Sequence, residues 1–347
     1  MAGKSASAGT PTLEDVLKDI EKASGKGALM DGVQVVDIPR VKVPAHQLNL
    51  SFTGGGCPRG RIIELYGAEG GGKSSTALII AAGFQKEDER KIFYVDAEGT
   101  YDPFWAAKLG VDNDRVILWK PDASTAEEVF EQCLHVAESD GVSLIIIDSF
   151  PALVPQNVEE KDMTELTMAG ISKPLSTFSQ KMTKVLLKRP SITVIGLNQV
   201  RDNMSQYGDP LQTPGGHAWK HFCSIRLQVR STPVDDAGKE QPDKSDTATG
   251  VRIWNFLKKN KTGPRDWKTV SFTVNFLTGF NPKLDLVETA VMLGLVEQKG
   301  ANYQFTNTET GELVKGFGKR AFLEALTGEN EQFLEDLVLS YSKPQRA

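Results

Sequence analysis

The chain has 347 residues, 39% hydrophobic and 24% charged, and its 40 Lys+Arg against 45 Asp+Glu leave a net charge of −5. These proportions suit a soluble globular protein of about two domains and argue against a chain that coats nucleic acid by bulk charge. No apolar run approaches the ~18 residues of a membrane helix. Three scattered cysteines, Cys57, Cys133 and Cys223, exclude a disulfide framework or zinc ribbon and point to a reducing cytoplasm.

Residues 1–11 are rich in Ser, Gly and Ala and read as a flexible tail, without the apolar stretch of a secretory signal. Thr12 opens an amphipathic helix. Leu13, Val16, Leu17 and Ile20 repeat at helical spacing, Asp15 completes a capping box, and Gly25, Gly27 and Gly32 end the segment. The β-branched stretch 33–38 reads as a strand. One helix and one strand cannot bury themselves, so this arm packs either on the following domain or on a neighbouring subunit.

From residue 61 apolar strands alternate with helices: strands at 62–66, 91–96, 116–119, 144–148 and 191–197, helices at 73–85, 103–109, 125–139 and 166–188. That rhythm predicts a parallel sheet buried on both faces. The segments 225–230, 250–258 and 269–275 alternate more and predict antiparallel additions, with an exposed polar loop at 233–249. From about 284 a small lobe follows, with a helix at 284–293, a hairpin at 303–314 around Thr310-Gly311, and helices at 318–326 and 330–341.

Gly67-Ala68-Glu69-Gly70-Gly71-Gly72-Lys73-Ser74 matches G-x-x-x-x-G-K-[ST] at every fixed position, with a strand before it and a helix after it. Glycines let backbone N–H groups approach phosphate oxygens. The helix N-terminus favours anions. Lys73 is placed for the β/γ-phosphates and Ser74 for Mg²⁺, so the chain is expected to bind a nucleoside triphosphate with Mg²⁺. Asp148 ends the strand LIIID, where a carboxylate holds Mg²⁺ through water. Glu98 lies just beyond the strand KIFYVD, expected next to the phosphate-loop strand; there it either orients an attacking water or is a solvated loop acid. His217 and His221, four apart near Cys223, lack the further ligands a metal needs.

Three further stretches carry a resemblance. Asp96-Ala97-Glu98 continues as Gly99-Thr100-Tyr101-Asp102-Pro103-Phe104-Trp105. Asn198-Gln199-Val200-Arg201 leads into a polar loop closing at Thr213-Pro214-Gly215-Gly216-His217-Ala218-Trp219-Lys220, and Lys259-Asn260-Lys261 lies further on. With GAEGGGKS and LIIIDS, this order resembles the RecA-type homologous recombinases over about 33–342. The resemblance implies a P-loop α/β ATPase core (51–283) whose mainly parallel sheet carries an antiparallel extension. An N-terminal oligomerisation helix and strand (12–50) would precede it and a small α+β C-terminal domain (284–347) would follow.

The same resemblance implies roles for single residues. Glu98 would be the catalytic carboxylate, Asp102 and Trp105 would contact adenine, and Ser75 would join Gly67–Ser74 around the nucleotide. Gln199 would sense the γ-phosphate, and Lys259 and Lys261 would reach a neighbour's ATP site; read from the residues alone, those lysines are a solvated strand end. DNA-contacting loops would fall at about 156–166 and 200–214, using Arg201, Asn203, Met204, Gln206 and Tyr207, with Gly215 and Gly216 letting the second reorganise. By composition that second loop is equally a flexible surface loop. The implied partners are single-stranded DNA, homologous double-stranded DNA and further copies of the chain in a helical filament, with no membrane.

The chain also departs from the pattern. Its first loop lacks the usual glycines, His221 stands where the family usually has Phe, and the end, 342–347, is basic rather than acidic. These departures mark a divergent member, bacterial or encoded by a bacteriophage, acting in the bacterial cytoplasm or an infected cell. Lys315, Lys319 and Arg320 could form a patch for duplex DNA or a plain solvated face. A ring helicase on the same core and a nucleotide-binding accessory paralogue are the alternatives. The short segment ahead of the core speaks against the first, and the intact Lys73, Ser74, Glu98 and Asp148 against the second.

Overall fold

The computed structural model describes residues 11–25, 29, 38–156, 170–202, 211–236, 238–242 and 247–342. The chain divides into two compact units, 1–38 and 39–347. In the first, helix α1 (Leu13–Ser24) starts at Thr12, whose Oγ1 accepts from the Asp15 amide at 3.3 Å while Asp15 Oδ2 accepts from the Thr12 amide at 3.2 Å. This is the expected capping box. Leu13, Val16, Leu17 and Ile20 form its apolar stripe, and no residue of the helix is buried. The strand expected at 33–38 falls outside the described residues except for Ile38.

The second unit runs β1 (Arg40–Val41), α2 (His46–Phe52), β2 (Cys57–Pro58), β3 (Ile62–Gly67), α3 (Lys73–Glu87), β4 (Lys91–Asp96), α4 (Pro103–Lys108), β5 (Val116–Trp119), α5 (Ala126–Glu138), β6 (Val142–Asp148), α6 (Ser172–Lys188) and β7 (Thr193–Gln199). It continues with β8 (Arg201–Asp202), β9 (Leu211–Gln212), α7 (Gly216–Phe222), β10 (Ile225–Val234), β11 (Gly250–Asn260), β12 (Thr269–Asn275) and β13 (Gly279–Phe280). Nine of these strands form one sheet in the order β13-β12-β11-β10-β3-β7-β6-β4-β5. From β10 to β5 the neighbours are parallel; β10 to β13 are antiparallel. This is the mixed α/β sheet with an antiparallel extension that the pattern predicts.

The reason is visible in burial. Every residue of β3 and β6 is buried, because helices cover both faces of the parallel part. β10, β11 and β12 bury mainly alternate residues, as half-covered antiparallel strands do. One core cluster packs α2 and α3 on one face of the sheet; a second packs α5, α6 and Trp219 of α7 on the other. A third belongs to the C-terminal lobe, built from α8 (Pro282–Met292), the three-stranded sheet β14 (Glu297–Lys299), β15 (Asn302–Thr306) and β16 (Leu313–Phe317), α9 (Lys319–Ala325) and α10 (Gly328–Ser340).

The structure differs from the sequence reading at several places. Helix α2 is an addition: it is seven residues long and wholly buried, so it presents no polar face for periodicity to detect. The expected boundary at residue 50 lies inside it. Strand β10 extends to Val234, into the stretch read as a polar loop, and β14 adds a third strand to the expected hairpin. Of the helix expected at 166–188, residues up to 169 lie outside the described residues and the remainder begins at Ser172.

Candidate nucleotide-binding site

The parallel strand order brings four strand ends side by side: the phosphate loop after β3, Gln199 at the end of β7, Asp148 at the end of β6, and Asp96-Ala97-Glu98 after β4. Ligands of open α/β sheets bind at such carboxyl ends. One expectation needs correction here. The strand of Glu98 is not next to the phosphate-loop strand, because β7 and β6 lie between them. Right-handed crossovers insert later strands between earlier ones, and linear order does not reveal this.

The loop wraps because Gly70 (φ 67°) and Gly72 (φ 88°) adopt left-handed backbone. Gly67 is fixed by space instead, since a Cβ there would meet the Val229 carbonyl oxygen at 2.1 Å. Helix α3 begins at Lys73 and points its N-terminus into the loop. Lys73 is buried, and its Nζ donates to the carbonyls of Ala68 (2.8 Å) and Gly67 (3.3 Å). Burial lowers its pKa from the usual lysine value, opposed by Asp148, Glu98 and Glu69. A buried ammonium held by carbonyl dipoles, beside a helix N-terminus, suits a multiply charged anion.

Asp148 is also buried, and burial raises its carboxyl above the usual range against the pull of hydrogen bonds from Tyr94 and Ser74. Ser74 Oγ donates to its Oδ2 at 2.7 Å, so the hydroxyl and carboxylate expected to serve one Mg²⁺ are already in contact. Tyr94 OH donates to the same oxygen at 2.6 Å. Glu98 is exposed; its Oε1 accepts from Ser149 Oγ and from Gln199 Nε2, the latter at 3.3 Å. Sequence reasoning gave no role to Tyr94 or Ser149. Their signals were a hydroxyl inside an otherwise apolar strand and a hydroxyl directly after Asp148.

On the far side of the loop, Asp102 caps α4 through the amides of Phe104 and Trp105, and Trp105 Nε1 donates to Ser75 Oγ at 3.1 Å. Trp105 thus joins Asp102, which caps its helix, to Ser75 of the helix that follows the phosphate loop. Beneath the loop lies a hydrogen-bonded network in which Asn198 Oδ1 has no partner among the described residues. Buried Glu64 accepts from Arg226 and from Asn198 Nδ2 (3.0 Å), and Asn198 also donates to the Pro214 carbonyl at 2.9 Å. Glu69, Gly70 and Gly71 complete the loop around the same space.

Residues 11–281 match the RecA N-terminal domain family. The chain belongs to the RecA family. It is 36% identical over 332 residues to Protein RecA of Thermus thermophilus, covering 94% of this chain and 92% of that one. It is 35% identical over 333 residues to Protein RecA of Thermus aquaticus (94% and 92%), and 33% identical over 299 residues to Protein RecA of Rickettsia conorii (85% and 84%).

The other residues implied by the RecA resemblance are placed as follows. Lys259 Nζ donates to the Lys220 carbonyl and, at 2.9 Å, to that of His221; Lys261 Nζ donates to the His221 carbonyl at 2.8 Å. Within one chain the two lysines therefore satisfy the carbonyl end of α7, a favourable place for cations. Burial, with Lys261 as like-charged neighbour, lowers Lys259 from the usual lysine value. Gly215 (φ 98°) turns the chain into α7, and a Cβ there would strike Leu175 of α6 at 2.5 Å; Gly216 (φ 69°) follows. Arg201 lies in β8, which pairs with β9. Asn203, Met204, Gln206 and Tyr207, and most of the first loop at 157–166, lie outside the described residues. In the C-terminal lobe Lys319 pairs with Glu288 and Arg320 with Glu324.

Proposed function

We propose that loop 67–75, Glu98, Asp148 and Gln199 form an ATPase site whose state switches the chain's grip on DNA. As a RecA-family protein the chain is an ATP-dependent recombinase and a DNA-dependent ATPase. The ring-helicase alternative is not favoured, given curated relatives matched along 94% of the chain. The observation that carries the switch is the Gln199–Glu98 hydrogen bond. It ties the hydrolytic carboxylate to the strand end that enters segment 200–214.

In this reading Glu98 orients the attacking water and accepts its proton. Lys73 and the amides of Gly70, Gly71 and Gly72 hold the phosphate oxygens, and Asp102 and Trp105 hold the base. Ser74 would ligate Mg²⁺ directly and Asp148 through water; when bound, the ion neutralises charge developing on the phosphate oxygens. Loss of the γ-phosphate lets Gln199 release segment 200–214, an order change of the kind that drives nucleotide switches. There Arg201 and Asn203, Gln206 and Tyr207, with Met204 between them, would contact backbone and bases of single-stranded DNA. Gly215 and Gly216 permit the movement.

In a helical filament Lys259 and Lys261 exchange the α7 carbonyls for a neighbour's ATP site, which would make hydrolysis depend on assembly. Homologous double-stranded DNA is the second substrate and the bacterial cytoplasm the proposed setting. Among the described residues no helix is long and apolar enough to cross a membrane. Unit 1 would dock on the adjacent subunit by the apolar stripe of α1. The test is phosphate release with and without single-stranded DNA, for wild type and Lys73→Ala, with the same mixtures imaged by negative-stain electron microscopy. Strong DNA stimulation with helical filaments, lost in the variant, is expected. DNA-independent hydrolysis by rings or monomers would overturn the reading.

A further inference from the structure

Asp148 does not hold its orientation alone. Its Oδ2 receives two hydrogen bonds, from Ser74 Oγ at 2.7 Å and from Tyr94 OH at 2.6 Å. Tyr94 is on β4 and Asp148 on β6, adjacent parallel strands in which Tyr94 stands opposite Ile146. The two residues are therefore diagonal neighbours on one sheet face, a separation that an aromatic side chain spans. Both are buried, at 2% and 3% exposure. The Tyr94 ring is itself braced, with Tyr101 packed edge-on at 4.9 Å, and the Tyr101 hydroxyl donates to Asn113 Oδ1 at 2.7 Å.

We propose that Tyr94 is a positioning residue for the magnesium carboxylate: its hydroxyl fixes Asp148 in the orientation that holds the ion's water. The proposal rests on the ATP-site reading above. In that reading the Ser74 hydroxyl would serve the ion with a lone pair while still donating to Asp148. Tyr94 is the donor to Asp148 that has no such second task, and it holds the carboxylate from the neighbouring strand. A phenol donates one hydrogen and lies too deep here to exchange it readily for water, so the restraint persists. Partners behind a metal ligand commonly set affinity by 10–100-fold or so, and a ligand acting through water belongs near the lower end of that range.

The test titrates MgCl₂ into full-length protein with a ribose-labelled fluorescent ADP and reads nucleotide affinity, with no turnover required. In Tyr94→Phe the ring and its contact with Tyr101 remain and only the oxygen is lost. The Mg²⁺ concentration for half-effect is expected to rise about tenfold, while affinity measured in EDTA and the thermal midpoint of the nucleotide-free protein stay as in wild type. Placed on Asp148→Asn, the same change is expected to add nothing, since the group it positions has gone. A half-effect concentration within about twofold of wild type, or a full additional effect on Asp148→Asn, overturns the positioning role. Failure of the underlying reading looks different: wild-type affinity would then ignore Mg²⁺, or Ser74→Ala would respond to it as wild type does.

Discussion

Two clusters of buried charge in the second unit are built to opposite ends. At the junction of α2 with the C-terminal lobe, the His46 amide donates to Asp285 Oδ2 at 2.6 Å. The His46 ring contacts Asp285 Oδ2 and Glu335 Oε1, each at 3.2 Å, and Lys42 pairs with Glu335 at 2.8 Å. Anion and cation alternate, with Asp285 Oδ1 left as the one oxygen of that carboxylate without a partner among the described residues. At the phosphate loop, buried Lys73 donates to two carbonyls, and Asp148 is held by two hydroxyls. The first cluster fastens one lobe to another. In the second, burial moves both Lys73 and Asp148 toward the neutral form, as it does Asp285 in the first. Burial does not distinguish the two clusters; the partners do, charged groups facing opposite charge in the first and neutral carbonyls or hydroxyls in the second.

The largest effect that would sharpen this contrast is at the phosphate-loop cluster. Glu98→Gln should lower phosphate release by about 10²–10⁴-fold, yet leave the urea midpoint nearly unmoved because the side chain is exposed. Retained turnover would remove Glu98 from the catalytic role. At the His46–Asp285–Glu335 cluster the pattern should invert. Asp285→Ala should cost about 3–5 kcal/mol of stability by unpairing buried groups, with nucleotide affinity of the folded protein kept; urea unfolding and ADP binding measure the two. If nucleotide binding fell with stability, the two clusters would not be separable.

A smaller effect is expected from pH. Burial alone would lower His46, but its hydrogen bonds to Asp285 and Glu335, with their charges, outweigh this and raise it. Its contribution is therefore complete below its unfolded value of about 6.5 and is lost as pH rises through the higher folded value. Glu335 is held down to about 2, first by its hydrogen bond with His46 and then by Lys42. That contribution is complete above the unfolded value of about 4.3 and fades as pH falls toward 2. Asp285, raised by burial, sheds stability as pH rises, in the same sense as His46. The thermal midpoint should decline on the alkaline side in wild type, and His46→Gln should flatten that slope. An unchanged slope would mean that His46 stays neutral.

Lys259→Ala should cost far less stability than Asp285→Ala, at most about 1 kcal/mol from the α7 carbonyl end. DNA-stimulated turnover in filaments should nonetheless fall steeply. Equal loss in the presence and absence of DNA would confine Lys259 to its own chain.

Much of the chain was legible in its sequence, for definite reasons. The phosphate loop is a local object: loop, strand and helix lie within 62–87, so spacing alone specifies it. The parallel and antiparallel halves of the sheet were readable because burial on two faces or one leaves different residue patterns in each strand. The capping box of α1 needed only Thr12 and Asp15. What sequence could not supply was adjacency across strands. Strand order decided that Glu98 meets Gln199 and Ser149 although two strands separate β4 from β3, and that Tyr94 stands diagonal to Asp148. It also brought residue 46 onto residues 285 and 335, and left Lys259 and Lys261 on the carbonyls of α7. Such contacts join residues 38 to 289 positions apart, and a side chain's partners at that range are set by how the layers pack, which no local pattern records.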